Sequence, residues 1–147
     1  MVLHTASEVF SFAKRMEEEG AQFYKKLARS FSVSVDTFEQ FAKENRRFSQ
    51  QVERAYYGGI SDALEGGFAF EIDQERYEGN TETPESVSLS EALSRAAEME
   101  ERTRSFYVDA AAQSGSLMAD LPRAFAQVAK RRERRIETIR ALQESAG

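Results

Sequence analysis

The sequence predicts an all-α fold, an up-down four-helix bundle in which two helix hairpins are joined by one long crossover. Three observations support this prediction. Apolar residues recur at helical spacing in four segments, neither of the two prolines interrupts a long segment, and the connections are short, long and short in turn. That order of connection lengths is typical of a bundle with one crossover. We expect the 147 residues, 1–147, to form a single domain around one core.

The first hairpin combines helices predicted over residues 7–28 and 36–57. Thr5 and Glu8 form a capping-box pattern before the first helix. Gly58 and the glycine after it end the second helix, because glycine tolerates the backbone conformations that follow a helix. The apolar stripes consist of Val9, Ala13, Met16, Gly20, Phe23 and Leu27 in one helix and of Phe38, Phe41, Phe48, Val52 and Ala55 in the other.

The second hairpin combines helices predicted over residues 89–113 and 120–144. Ser88 and Glu91 repeat the capping-box pattern. Pro122 lies in the first turn of the last helix, where a missing N–H is tolerated. The apolar stripes consist of Leu93, Ala96, Ala97, Tyr107 and Ala111 in one helix and of Leu121, Phe125, Val128, Ile136, Ile139 and Leu142 in the other.

The crossover is predicted over residues 58–87, and its second half is acidic and rich in turn-forming residues. It also carries large apolar side chains that an extended linker would expose to water. We therefore expect the crossover to be ordered at least in part. The side chains in question are Phe68, Phe70, Ile72 and Tyr77.

The sequence of the first hairpin recurs in the second. Residues 16–24 return 83 positions later as residues 99–107, with Met, Glu-Glu and Phe-Tyr aligned. Residues 38–43 return 87 positions later as residues 125–130. Four aligned segments in the same order favour a true repeat over a convergent amphipathic pattern.

Two glutamates lie in the middle of apolar stripes. Glu17 precedes Tyr24 by seven positions and Glu100 precedes Tyr107 by seven positions, a spacing that returns to nearly the same helix face. Burial of a lone carboxylate is costly unless it is paired, coordinated to a metal or protonated. A single such residue is explained by a side chain that reaches the edge of the bundle. Two at equivalent positions of a repeat predict a shared central site.

The other two helices also carry polar residues in their stripes. Asn45, Arg132 and Arg135 each lie seven positions from apolar stripe residues on both sides. The remaining basic residues of the run at 130–135 fall off the stripe, so we expect them to face water.

A net charge of −5 argues against nucleic-acid binding, which depends on neutralising phosphates. The expected partner of the basic face is the acidic crossover, in the same chain or in a dimer mate.

Composition excludes several kinds of site. The absence of cysteine excludes disulfides and thiolate metal sites, and the single histidine, His4, excludes a histidine-rich metal site in the body of the domain. No signal peptide is recognisable, and no apolar run approaches the roughly 20 residues needed to span a bilayer. We expect a cytoplasmic protein that forms a homodimer and binds neither membrane nor nucleic acid, with an unknown protein as a further partner.

These motifs resemble those of the ferritin-like superfamily and, within it, of the rubrerythrin-like proteins. The resemblance covers all four predicted helices. The family pattern A-x-x-x-E-x-x-x-x-x-F-Y is matched at Ala13, Glu17, Phe23 and Tyr24, and again at Ala96, Glu100, Phe106 and Tyr107. The pattern F-x-x-L-A-x-x-E-x-x-H is matched in its first part at Phe38, Phe41 and Ala42, and at Phe125, Val128 and Ala129.

The resemblance implies a di-iron site. In that family, glutamates from two helices and an E-x-x-H pair from each of the others hold the metals. It implies Glu17 and Glu100 as metal ligands, with Tyr24 and Tyr107 beside them. The E-x-x-H pairs are absent, and so is the Cys-x-x-Cys pattern of a rubredoxin module. The positions of the E-x-x-H residues hold Asn45, Phe48, Arg132 and Arg135.

We predict that Arg132 and Arg135 occupy the metal volume and pair with Glu17 and Glu100 in a core without metal. On this hypothesis no cofactor is bound, no residue is catalytic, and the protein has lost di-iron chemistry and acts as a structural or binding protein. The tyrosines are then core aromatics whose hydroxyl groups bond to neighbours.

The alternative is a divergent di-iron or single-metal oxidoreductase, or a peroxide-handling protein. It would use iron or another divalent metal. Its reduced ligand set would add a neighbouring carboxylate, namely Glu44, Glu18 or Glu101, to the two stripe glutamates. No substrate can be inferred from the sequence under either hypothesis.

Overall fold

The computed structural model describes residues 1–59, 70–79, 87–115 and 120–146. Four long helices dominate these residues and extend at most two residues beyond the predicted bounds. Two short antiparallel strands complete the described fold. The helices are α1 (Ala6–Ser30), α2 (Val35–Gly59), α3 (Leu89–Gln113) and α4 (Asp120–Ala146), and the strands are β1 (Val2–Leu3) and β2 (Ile72–Asp73).

The predicted capping box at the start of α1 is present. The Thr5 hydroxyl accepts a hydrogen bond of 3.1 Å from the backbone N–H of Glu8, and the Glu8 carboxylate accepts one of 3.1 Å from the backbone N–H of Thr5. At the start of α3, the Ser88 hydroxyl caps the backbone N–H of Glu91. The Glu91 carboxylate, however, forms an ion pair of 3.5 Å with Arg95 on the next turn of the same helix.

The helices pack as two hairpins. Contacts are most numerous between α1 and α2 and between α3 and α4, and α2 and α4 join the hairpins, whereas α1 and α3 have few contacts. A 3₁₀ turn, Ser32–Ser34, forms the short connection in the first hairpin. α2 continues through Gly59, and the residues that follow lie outside the described part of the chain.

The described part of the crossover is attached to the start of the chain. Leu3 of β1 pairs with Ile72 of β2, and the N–H of Phe70 donates to the carbonyl of His4 at 3.0 Å. Phe70, Ile72 and Tyr77 are buried, as predicted. Phe68 lies outside the described residues. A 3₁₀ turn, Gln74–Arg76, follows β2.

The apolar core consists of two clusters with a polar layer between them. One cluster includes Phe10 and Tyr107, and the other includes Tyr24 and Leu93. Because Glu17 lies between Phe10 and Tyr24 on α1, the stripe crosses from one cluster to the other at this glutamate. None of the described helices is both long enough and apolar enough to span a bilayer.

Candidate functional site

All four helices contribute buried polar side chains to the layer between the apolar clusters. Their exposed fractions range from 0 to 3%. The seven-residue spacing places each of them on the inward face of its helix. The residues are Glu17 on α1, Asn45 on α2, Glu100 on α3, and Arg132 and Arg135 on α4; we call them the central cluster.

Arg132 connects the two glutamates. Its Nη1 donates to both carboxylate oxygens of Glu100, at 2.6 and 2.9 Å, and its Nη2 donates to Oε1 of Glu17. Charge-assisted bonds of this kind are about twice as strong as neutral ones. One guanidinium therefore ties α4 to both α1 and α3 at the centre of the bundle.

Arg135 binds a different set of partners. It donates to Glu100 Oε2 at 3.3 Å, to the side-chain oxygen of Asn45, and to Glu44 Oε1 at 3.1 Å. No hydrogen bond joins Arg135 to Glu17 among the described residues, so Arg132 pairs with both glutamates and Arg135 with Glu100. The two arginines have different partners because Arg135 lies almost one turn further along α4 than Arg132, where its side chain faces α2.

Asn45 fills the position opposite Arg135. Its side-chain N–H₂ group donates to the backbone carbonyl of Glu17 at 3.2 Å. A Cβ on Gly20 would overlap this nitrogen, so the absence of a side chain at Gly20 makes room for the amide. Sequence reasoning placed Gly20 in the stripe without finding this role.

The two tyrosines cross between the repeats. Tyr24 Oη donates to Glu100 Oε2 at 2.6 Å, and Tyr107 Oη donates to Glu17 Oε2 at 2.6 Å. Each tyrosine therefore bonds to the glutamate of the other hairpin and not to the one on its own helix. Both hydroxyl groups are satisfied, as predicted.

Aromatic rings cover the guanidinium faces. The ring centroid of Phe48 lies 5.0 Å from Arg132 Cζ and 5.3 Å from Arg135 Cζ. Phe41 lies 4.6 Å from Arg135 Cζ. Such contacts favour a cation that has been removed from water.

The electrostatics of the two glutamates differ. Burial raises the pKa of Glu17, which has one arginine partner, Arg132, in the described part of the chain. Burial acts against the ionisation of Glu100 too, but Arg132 and Arg135 together outweigh it and lower its pKa. Burial and the neighbouring carboxylates raise the tyrosine pKa values, so Tyr24 and Tyr107 stay neutral donors. With both glutamates ionised, the charges of the cluster sum to zero.

The side chains of the central cluster do not fit a di-metal centre. Such a site needs an E-x-x-H pair from each of two helices besides the two glutamates, whereas α2 and α4 supply an amide, a phenyl ring and two guanidiniums. Within the four described ranges, no three His, Cys, Asp or Glu side chains are grouped to hold a metal ion.

Of the three glutamates that a reduced metal-ligand set would add, Glu44 contacts the central cluster, through Arg135. Glu18 accepts a hydrogen bond from Gln22, and Glu101 pairs with Arg104 and Arg140 near the surface.

The basic run on α4 divides as predicted. Arg132 and Arg135 are buried, while Lys130, Arg131 and Arg134 are exposed. In the part of the chain that is described, the exposed three form no ion pair with the crossover. Part of the acidic segment, residues 80–86, lies outside the described ranges, so the predicted partner of this face stays a prediction.

No family model matches the sequence, and no curated protein shows significant similarity to it. Its structure is similar to the crystal structure of a Thermotoga maritima protein that is named, provisionally, a ferritin-like diiron-carboxylate protein. The TM-score is 0.74 at 20% sequence identity, over 98% of each chain. The similarity confirms the predicted ferritin-like four-helix fold. At this identity it establishes the fold alone.

Proposed function

We propose that this ferritin-like bundle carries an ion-pair cluster in place of a metal centre, and that it acts as a structural or binding protein without redox chemistry. The observation that supports this best is the guanidinium of Arg132, which bonds to Glu17 and Glu100 at once. These are the two carboxylates that the family resemblance implies as metal ligands.

A cation would have to compete with those guanidiniums. Arg132 and Arg135 are each no more than 3% exposed, so they cannot turn to water without rearrangement of the helices around them. Separation of a buried ion pair costs about 3–5 kcal/mol, because it leaves an unpaired charge inside the protein. A divalent ion beside two guanidiniums would also be repelled by them.

The cluster also supplies the cross-links of a bundle core. Arg132 joins α4 to α1 and α3, and Arg135 joins α4 to α2 and α3. A metal shared between helices connects a bundle in the same way. The ion pairs therefore support a stable scaffold, which is what a structural or binding role requires.

Elemental analysis after metal loading tests the proposal. The purified protein would be incubated under anaerobic conditions with excess Fe²⁺, Mn²⁺ or Zn²⁺, desalted, and analysed for metal. We expect far less than one ion per chain and no rise in melting temperature, since a ligand that binds the native state raises it. About two ions per chain, the content of a di-metal bundle, would support the oxidoreductase alternative instead.

A gain-of-function variant tests the alignment of the cluster with the di-metal positions. Restoring the pattern through Asn45→Glu, Phe48→His, Arg132→Glu and Arg135→His should create stoichiometric iron binding. The matched control applies Arg131→Glu and Arg134→His to the exposed face of α4 and should bind none. A folded fourfold variant without iron would refute the alignment.

A further inference from the structure

A cleft of about 310 Å³ lies between α1 and α3, with residues 77–79 of the crossover as a further wall. These two helices have few contacts with each other. Its volume falls at the lower end of the range for small-molecule sites. The apolar part of the lining consists of Phe12, Met16, Tyr77 and Met99.

Arg102 brings a positive charge to this lining. Its guanidinium lies directly against the backbone of Gly79, where a Cβ would overlap it. Among the described residues, Arg102 has no hydrogen bond and no ion pair. Arg15, in the same cleft, differs because Glu78 binds it at 2.6 Å. Among the described residues, the cleft thus presents one cation that forms no ion pair, beside apolar side chains.

We propose that this cleft binds a small organic monocarboxylate, with its carboxylate on Arg102 and its apolar body against Phe12, Met16 and Met99. The planar guanidinium matches a carboxylate with two parallel hydrogen bonds. Glu19 lies on the same lining and has no ion pair among the described residues, so a second negative charge on the ligand would be repelled. A monoanion is favoured over a phosphate for that reason.

The proposal is independent of the function assigned to the central cluster, since the two sites share no residue. Metal analysis of the core and ligand binding in the cleft can therefore fail or succeed separately.

Titration of the ¹⁵N-labelled full chain with phenylacetate, followed by amide chemical shifts, tests the proposal. Saturable shifts should be confined to α1, α3 and residues 77–79. Phenylacetamide, which has the same shape without the charge, should bind about tenfold more weakly or worse, as expected for the loss of a charged hydrogen bond. Inorganic phosphate should cause no shifts in the cleft.

Two variants test separately the charge of Arg102 and the position of its guanidinium. Arg102→Gln should weaken phenylacetate about tenfold or more, whereas Arg131→Gln, on the exposed face of α4, should not change it. Gly79→Ala keeps the charge but displaces the flexible guanidinium, so it should weaken binding as well. The proposal is overturned if no saturable shifts occur in the cleft, or if both cleft variants bind phenylacetate as the wild type does.

Discussion

The hydroxyl group of Tyr107 donates a hydrogen bond of 2.6 Å to Glu17, 90 positions away in the sequence and on a different helix. Tyr24 makes the equivalent bond to Glu100 at 2.6 Å. In this exchange, the tyrosine of each hairpin binds the glutamate of the other hairpin. Separation of the hairpins would break both bonds, so the exchange stabilises the association of the halves.

Removal of the tyrosine hydroxyls should have unequal effects. Among the described residues, Tyr107→Phe leaves Glu17 with Arg132 as its one side-chain donor, and we expect a loss of about 1–3 kcal/mol in the free energy of unfolding. Tyr24→Phe should cost less, because Glu100 keeps bonds from both arginines. Urea denaturation measures both values. The exposed Tyr57→Phe is the control and should change stability by less than about 0.5 kcal/mol.

Replacement of Arg132 should lower the free energy of unfolding far more than replacement of Arg131, its neighbour in sequence. Within the described residues, Arg132→Met leaves Glu17 without an ion-pair partner and Glu100 with the longer pair to Arg135, which should cost about 3–5 kcal/mol. Arg131→Met, on the exposed face of the same turn, should cost less than about 0.5 kcal/mol. Circular dichroism and urea denaturation measure the difference. Similar values for the two variants would mean that the ion pairs contribute nothing to stability.

The two buried glutamates should make stability depend on pH in opposite directions. Burial opposes ionisation of Glu100, but Arg132 and Arg135 outweigh it and lower its pKa from the ordinary 4.5. Its stabilisation is therefore complete above 4.5 and is lost as the pH falls through the lowered pKa. Burial raises the pKa of Glu17 above 4.5, so its ionisation costs stability as the pH rises from 4.5 through the raised value.

Glutamine variants separate these contributions. Relative to wild type, Glu17→Gln should gain stability as the pH rises above 4.5, whereas Glu100→Gln should lose stability as the pH rises toward 4.5. Urea denaturation over a series of pH values measures both slopes, with the exposed Glu18→Gln as background. Slopes of the same sign for the two buried positions would contradict the assignment.

Two glycine substitutions should differ in their effect on stability, since one is destabilising and the other is neutral or stabilising. Gly20→Ala places a methyl group on the buried amide of Asn45, and overpacking of this kind costs about 1–3 kcal/mol. Gly58→Ala meets no atom within 4 Å and should be neutral or stabilising by about 0.4–1 kcal/mol. Thermal denaturation compares them. Adding Asn45→Ala to Gly20→Ala should remove the clash, so the two changes should be strongly non-additive.

Much of the site could be predicted because helix periodicity reports which face of each helix is buried. The seven-residue spacing identified Glu17, Glu100 and Asn45 as inward-facing, and it separated Arg132 and Arg135 from the exposed arginines between and beside them. That inference needs no knowledge of the neighbouring helix. The buried aromatic residues of the crossover were predictable for a similar reason, since such side chains are rarely left in water.

The sequence by itself thus determined the four helices, their buried faces and the residues of the central cluster. Only the tertiary structure decided which partners meet: Arg132 on both glutamates, Arg135 on Asn45, and each tyrosine on the opposite hairpin. The physical reason is that contacts across helices depend on how far each helix is shifted and rotated against its neighbours. That arrangement results from packing of the whole core, which no local spacing encodes.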